Sequence, residues 1–261
     1  MSVLAVGGRA AILRINPVAK LAAALLLAIV LVLSLDWVSA TVALGLELIL
    51  FVWAGVPWRQ FWLRTLPVWV FAPLSGITIA LYGQDEGTVY FSWLLVHVTD
   101  GSLALALATM VRLLAIGLPS VVLFITIDPT DLADGLAQVL RLPARFVLGA
   151  LAGLRLVGLF LQDWKSLELA RRARGVADSG RLRRFATQAF ALLVLSIRRG
   201  SKLATAMEAR AFGGSTPRTW ARASRFGGRE WLLIAIGAAV AGIAVAVSVA
   251  TGNWNFIVGP R

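Results

Sequence analysis

The sequence predicts an all-α polytopic membrane protein, with about five transmembrane helices and a cytoplasmic module of one short and two long amphipathic helices. Three observations lead there. The 261-residue chain is 59% hydrophobic with a mean hydropathy of +0.83, well above the apolar share of a soluble domain. Five apolar stretches reach the roughly 17–25 residues that a bilayer-spanning helix needs. The net charge of +12 is gathered into one segment instead of being spread along the chain.

Val18 to Leu35 is the first span. Arg9, Arg14 and Lys20 come before its uninterrupted apolar run, and "VSA" at Val38 to Ala40 resembles a signal-peptide cleavage site. The run is longer than an h-region and a second apolar stretch follows at once, so it reads as a membrane helix. Val38 to Val56 is the second span and Leu66 to Tyr82 the third, where Pro67, Pro73 and Gly76 predict a kink. "TVYFSWLLVHV", Thr88 to Val98, is too short to cross and belongs at the interface or on the outer helix ends. Ser102 to Ile127 and Trp231 to Ala250 complete the set.

Basic residues in short loops orient these spans. Arg9, Arg14 and Lys20 flank the first, and Arg59 and Arg64 follow the second. The loops on the other side carry Asp36, Asp85, Glu86 and Asp100 without Lys or Arg. The N-terminus is therefore expected in the cytoplasm and the C-terminus outside. The chain divides into a membrane part, residues 1–127, a cytoplasmic module, 128–229, and a final span with its tail, 230–261. The module holds 18 Lys+Arg against 7 Asp+Glu, nearly all of the charge excess.

Within the module, "DPTDLADGLAQVLRLP" reads as a short helix, with Asp128 or Thr130 near its N-cap and Pro143 limiting its far end. "FVLGALAGLRLVGLFL", Phe146 to Leu161, is apolar except for Arg155 and is the chief rival for a further span. Placing it in the membrane would send "RRARG" outside, against the charge rule. As an amphipathic helix it shows an apolar seam at Phe146, Ala150, Gly153, Val157, Phe160, Trp164 and Leu167. A second long helix, from Arg181 to about Arg210, carries a stripe at Leu182, Ala186, Ala189, Leu193, Ile197, Gly200, Ala204 and Met207.

The two long helices end in the same motif, A-x-x-A-R-small. It reads Ala170, Ala173, Arg174, Gly175 in the first and Ala206, Ala209, Arg210, Ala211 in the second. Arginine in a last turn followed by a small residue is ordinary helix termination. Capping does not require alanines at matching offsets, however. Small residues beside a projecting guanidinium let a neighbouring backbone approach while the fork reaches an acidic or carbonyl-lined groove. Two such plugs suit a partner that presents the same groove twice. Because Gly175 has Ala211 as its counterpart, termination of the second helix is expected to fall to Gly213 and Gly214.

This pair of motifs resembles the T component of energy-coupling factor transporters, and "DPTDLADGLAQVLRLPARFVLGALAGLRLVGLF" is similar to that family's coupling-helix region. The resemblance covers essentially the whole chain. It implies a non-catalytic coupling subunit in a bacterial or archaeal cell membrane, serving uptake of a vitamin or metal ion. Two ATP-binding subunits would dock on Arg174 and Arg210, flanked by Ala173 and Gly175 or by Ala209 and Ala211. A small substrate-binding membrane protein, the S component, would complete the assembly. ATP and Mg would sit on the partner ATPases, with no cofactor bound by this chain.

Other candidate residues are few. Glu47 and Arg112 lie near the middle of the second and fourth spans, where an unpaired charge is costly, and are expected to pair; the alternative is separate satisfaction on carbonyls or water. The chain has no cysteine and one histidine, His97, so no thiolate or His metal set is available. A G-x-x-x-x-G-K-[ST] phosphate loop is absent from the sequence. The basic runs "RRAR" and "RLRR" suit anionic headgroups or solvated helix ends, and nothing points to nucleic acid. A rival class is a membrane enzyme acting on a lipid or isoprenoid phosphate, with Asp128, Asp131 and Asp134 sharing a helix face for magnesium. A transporter with its own substrate site is disfavoured by the lack of a duplicated half.

Overall fold

In a computed structural model the described part of the chain is predominantly helical. The structure describes residues 15–34, 36–53, 58–83, 87–93, 96–175, 180–214 and 219–254. Arg9, Arg14, Asp85 and Glu86, used above for orientation, lie outside the described residues. Among the described residues eight helices and one hairpin follow in order: α1 (Pro17–Leu33), α2 (Trp37–Trp53), α3 (Trp58–Tyr82), β1 (Val89–Trp93), β2 (Val96–Thr99), α4 (Asp100–Ile125), α5 (Pro129–Gln138), α6 (Ala144–Ala173), α7 (Arg181–Ala209) and α8 (Gly228–Ala250). The chain is an all-α polytopic membrane protein to which one two-stranded hairpin is added.

All five expected spans are helices, but their limits differ. Helix α3 begins eight residues before Leu66, so Arg59 and Arg64 sit on its exposed first turns instead of in a loop. It runs through Pro67 and Pro73 as one helix. Among the described residues, α3 (from Phe61), α4, α6 and α8 are long and apolar enough to cross a membrane, while α1 and α2 are apolar helices of 17 residues each. Seventeen residues rise about 25 Å, at the short end of a span.

The chain divides into two compact units, residues 1–132 with 225–261, and residues 133–224. The break falls inside α5 and at Arg225, where the sequence alone suggested 127 and 229. In the first unit, α4 packs against α1, α2 and α3, and α8 packs against α1 and α2. Its core joins Leu27, Leu31, Ala43, Ala115, Val240 and Ala244, with a neighbouring cluster around Phe61, Leu118 and Val122. Small residues dominate the contacts, as expected where helices must approach closely without a hydrophobic drive to do so.

The stretch Thr88 to Val98, given no secondary structure from sequence, holds a hairpin. β1 and β2 pair antiparallel, Ser92 opposite His97 and Trp93 opposite Val96, with an irregularity between Val89 and Phe91. β-branched and aromatic residues favour strands. The hairpin leads directly into α4. The Thr99 side chain accepts from the Ser102 N–H at 3.1 Å, the Ser102 hydroxyl accepts from the Thr99 N–H at 3.0 Å, and it donates to the Ala80 carbonyl of α3.

Asp36, counted above as a loop charge, is buried between α1 and α2. Its carboxylate accepts from the Ser39 N–H at 2.6 Å, from the Ser39 and Ser34 hydroxyls, and from Ser248 Oγ of α8 at 2.6 Å. Burial pushes the carboxyl pKa up, but these bonds together outweigh it and hold the group below its ordinary value. The turn is thereby tied to the far end of α8.

Candidate functional site

The second unit carries both A-x-x-A-R-small motifs. Helix α6 ends at Ala173 with Arg174 as its C-cap, and α7 ends at Ala209 with Arg210 as its C-cap. The two arginines have nearly the same backbone, φ −89° and ψ 3° against φ −95° and ψ 17°. The next residue is left-handed in both, Gly175 at φ 68° and Ala211 at φ 53°. The Gly175 N–H donates to the Arg172 carbonyl at 3.1 Å, and the Ala211 N–H to the Glu208 carbonyl at 2.9 Å. At the second site Phe212 N–H also reaches back to the Met207 carbonyl at 2.9 Å, completing a Schellman closure. The repeated motif is thus one backbone device used twice. This corrects the expectation that Gly213 and Gly214 terminate α7: Ala211 does so itself, although a left-handed alanine costs about 1–2 kcal/mol.

Ala173, Arg174, Gly175, Ala209, Arg210 and Ala211 are all exposed. Neither motif guanidinium makes a hydrogen bond or ion pair among the described residues. Their neighbours do. Arg172 and Arg184 share Glu168 at 2.8 and 3.0 Å, and Arg171 donates to Thr187 Oγ1 at 2.8 Å. A free, always-charged fork on a small-residue helix end can take a carboxylate or carbonyl group from outside the chain.

The crossing of α6 and α7 departs from the expected apolar seam. Gln188, only 2% exposed, donates through Nε2 to the Trp164 carbonyl at 2.8 Å, and Arg199 pairs with Asp163 at 2.6 Å. The rings of Trp164 and Phe185 meet at 5.5 Å. Phe160, Trp164 and Leu167 are half-buried as predicted, but Phe146, Ala150, Gly153 and Val157 are exposed. So are Leu182, Leu193 and Ile197 of the α7 stripe. Polar residues and the Trp164–Phe185 ring pair join the two helices, while much of the expected apolar seam is exposed.

Glu47 and Arg112 do not form the expected ion pair in this structure. Glu47 is 3% exposed, and neither of its carboxylate oxygens has a hydrogen-bond partner; Arg112 Nε and Nη2 are likewise buried and unpartnered. The cause is the length of α4, 26 residues against 17 in α2, so equal depth along two spans is not equal depth in the bundle. Ala115 packs with Ala43 and Leu118 lies beside Leu44 and Leu48, which places Arg112 toward the Asp36 end of α2.

Sequence reasoning also missed Lys20, treated as a flanking charge. It lies inside α1, 1% exposed, and donates to the Thr126 carbonyl at 3.1 Å. A basic residue at the third position of the span Val18 to Leu35 was the available signal. Of the acidic trio in the rival enzyme reading, Asp128 serves as a cap, its Oδ1 accepting from Thr130 N–H at 2.7 Å. Among the described residues no group of three or more His, Cys, Asp and Glu is placed to hold a metal.

Comparison with known proteins bears on the paired helix ends. The family described as CbiQ, cobalt transport protein, matches residues 8–220, a range that contains both motifs. The chain belongs to the CbiQ family. Among relatives of this CbiQ chain, the energy-coupling factor transporter transmembrane protein EcfT of Limosilactobacillus fermentum is 31% identical over 179 residues, covering 63% of this chain and 66% of that protein. The protein of the same name from Brevibacillus brevis is 27% identical over 96% of both chains, and that from Lacticaseibacillus paracasei is 26% identical over 84% and 87%. The resemblance drawn from the two motifs is therefore supported over most of the chain, and this CbiQ member is a transmembrane component of the energy-coupling factor transporter type.

Proposed function

We propose that the chain is the coupling subunit of an ATP-driven importer and performs no chemistry itself. Arg174 and Arg210 dock into equivalent grooves of two ATP-binding subunits, which carry the ATP and Mg. Movement of those subunits swings α6 and α7, and a small substrate-binding membrane protein seated against them reorients in the bilayer. The N-terminus and the α6–α7 module face the cytoplasm and the C-terminus lies outside, as the basic residues favour.

The observation that carries this reading is the duplicated helix end, with the same backbone closure and the same exposed, unpartnered arginine. One such end is a cap; two in register suit a pair of alike partners. The apolar residues left exposed on both helices, among them Leu154, Val157, Leu193 and Ile197, support a membrane-embedded partner. The family description points to a metal ion as cargo and the names of the relatives specify none, so the cargo class is a vitamin or a metal ion chosen by the substrate-binding protein.

Affinity purification of the tagged chain in mild detergent, with mass spectrometry of what accompanies it, tests the reading. The wild type should bring one or two ATPase species and a small membrane protein. Arg174→Ala/Arg210→Ala should lose the ATPases, each truncation costing on the order of 2 kcal/mol as a central interface anchor. A double variant that keeps its ATPases at wild-type stoichiometry would sink the proposal and return attention to a membrane enzyme.

A further inference from the structure

The second unit leaves the first after Leu132 and returns at Arg225. Both roots, within the first unit, are held by the same turn of α1. Asn16 is the α1 N-cap, its Oδ1 accepting from Val18 N–H at 3.0 Å. Its Nδ2 donates to the Arg225 carbonyl at 3.0 Å, and its backbone N–H donates to Glu230 Oε1 at 3.3 Å. Glu230 in turn accepts from Gly227 N–H through Oε2 at 2.9 Å, closing the start of α8. That fastens the returning root.

The departing root is fastened by Lys20, one turn along. Its ammonium donates to the carbonyl of Thr126, the C-cap of α4, at 3.1 Å. A cation at the carbonyl end of a helix is favourably placed against the macrodipole. Burying a lysine in an apolar bundle is nevertheless expensive, and a leucine there would serve packing better. The expense is explained if the tie itself has a use.

We propose that Asn16 and Lys20 are positioning residues: they yoke Thr126 and Arg225 to one turn of α1, so that the two roots of the α6–α7 unit cannot separate when the unit is driven. Push delivered at the two helix ends then turns the unit on a fixed base instead of being spent in splaying its roots. The inference rests on the coupling reading above for its use, but the yoke itself belongs to this chain alone.

Asn16→Asp keeps the helix cap and removes the donor to Arg225. Lys20→Met keeps the aliphatic stem and removes the donor to Thr126, and Lys20→Arg restores one. The chain has no cysteine, so nitroxide labels on Pro129→Cys and Arg229→Cys, both exposed positions, report the spacing of the roots in the purified chain. The expected result is a narrow distance distribution in the wild type and with Lys20→Arg, and a broad one in Asn16→Asp/Lys20→Met. Asn16→Asp is also carried alone, so that a folding failure of the double variant leaves a result in hand. A folded single or double variant as narrow as the wild type overturns the yoke.

In the reconstituted transporter the double variant should still assemble and hydrolyse ATP while cargo moved per ATP falls about fivefold, the scale of a lost coupling contact, with recovery in Lys20→Arg. An unchanged ratio overturns the positioning role. A wild-type chain that recovers no ATPase refutes the coupling reading, while the distance measurement, which needs no partner, still decides the yoke.

Discussion

Gly175 and Ala211 occupy the same place in two copies of one helix ending, and only one of them suits it. A Cβ added at Gly175 meets nothing within 4 Å, so the cost of Gly175→Ala is conformational alone, about 1 kcal/mol. Ala211→Gly should return about 0.5–1 kcal/mol by the same argument run backwards. Thermal unfolding of the purified chain checks both signs, and a stabilising Gly175→Ala would show that the left-handed closure is not held in solution. The motif itself was legible residue by residue in the sequence. Its closure at Ala211 was not, because a left-handed alanine is the exception that local propensity argues against and the remaining turn enforces.

Elements fit together here by small residues at close range. Gly117 of α4 faces Val68 of α3, and a Cβ on it would lie 2.6 Å from Val68 Cγ1. The β-branched side chain has little rotameric freedom to give way. Gly117→Ala should therefore destabilise by about 1–3 kcal/mol, and Val68→Ala in the same chain should recover much of that loss. A thermal-melt cycle over the four variants reads the coupling, and additive losses would show that the two helices are not in contact there. Helix existence followed from hydropathy and length, including the short α5. Helix limits and faces did not follow. Arg59 and Arg64 end the apolar run but not α3, and the apolar stripe of α7 predicted a buried seam where Gln188 and Arg199 make the contact instead.

For the whole molecule, the open choice is whether α6 stays with the basic module or crosses the bilayer, since its length and apolarity admit either. The charge rule favours the inside. A membrane-impermeant thiol reagent on intact cells should label Tyr90→Cys and Thr251→Cys, and should reach Leu182→Cys only after lysis; all three positions are exposed. Labelling of Leu182→Cys from outside would place α6 in the membrane and reverse the topology from that point on.

The order of residues alone specified the membrane class, the helices and the duplicated arginine ends, because hydropathy and motif spacing act over one or two turns of chain. It pointed to the family for the same reason. The pairing of charges lay beyond it. Glu47 and Arg112 looked matched by counting along spans, Asp36 and Lys20 looked like loop or flanking groups, and Asn16 carried no signal in the sequence. Their partners are Ser248, Thr126 and Arg225, more than a hundred residues away in chain order. Which of them meet is set by the relative length and stagger of packed helices, and that is a property of the assembled bundle.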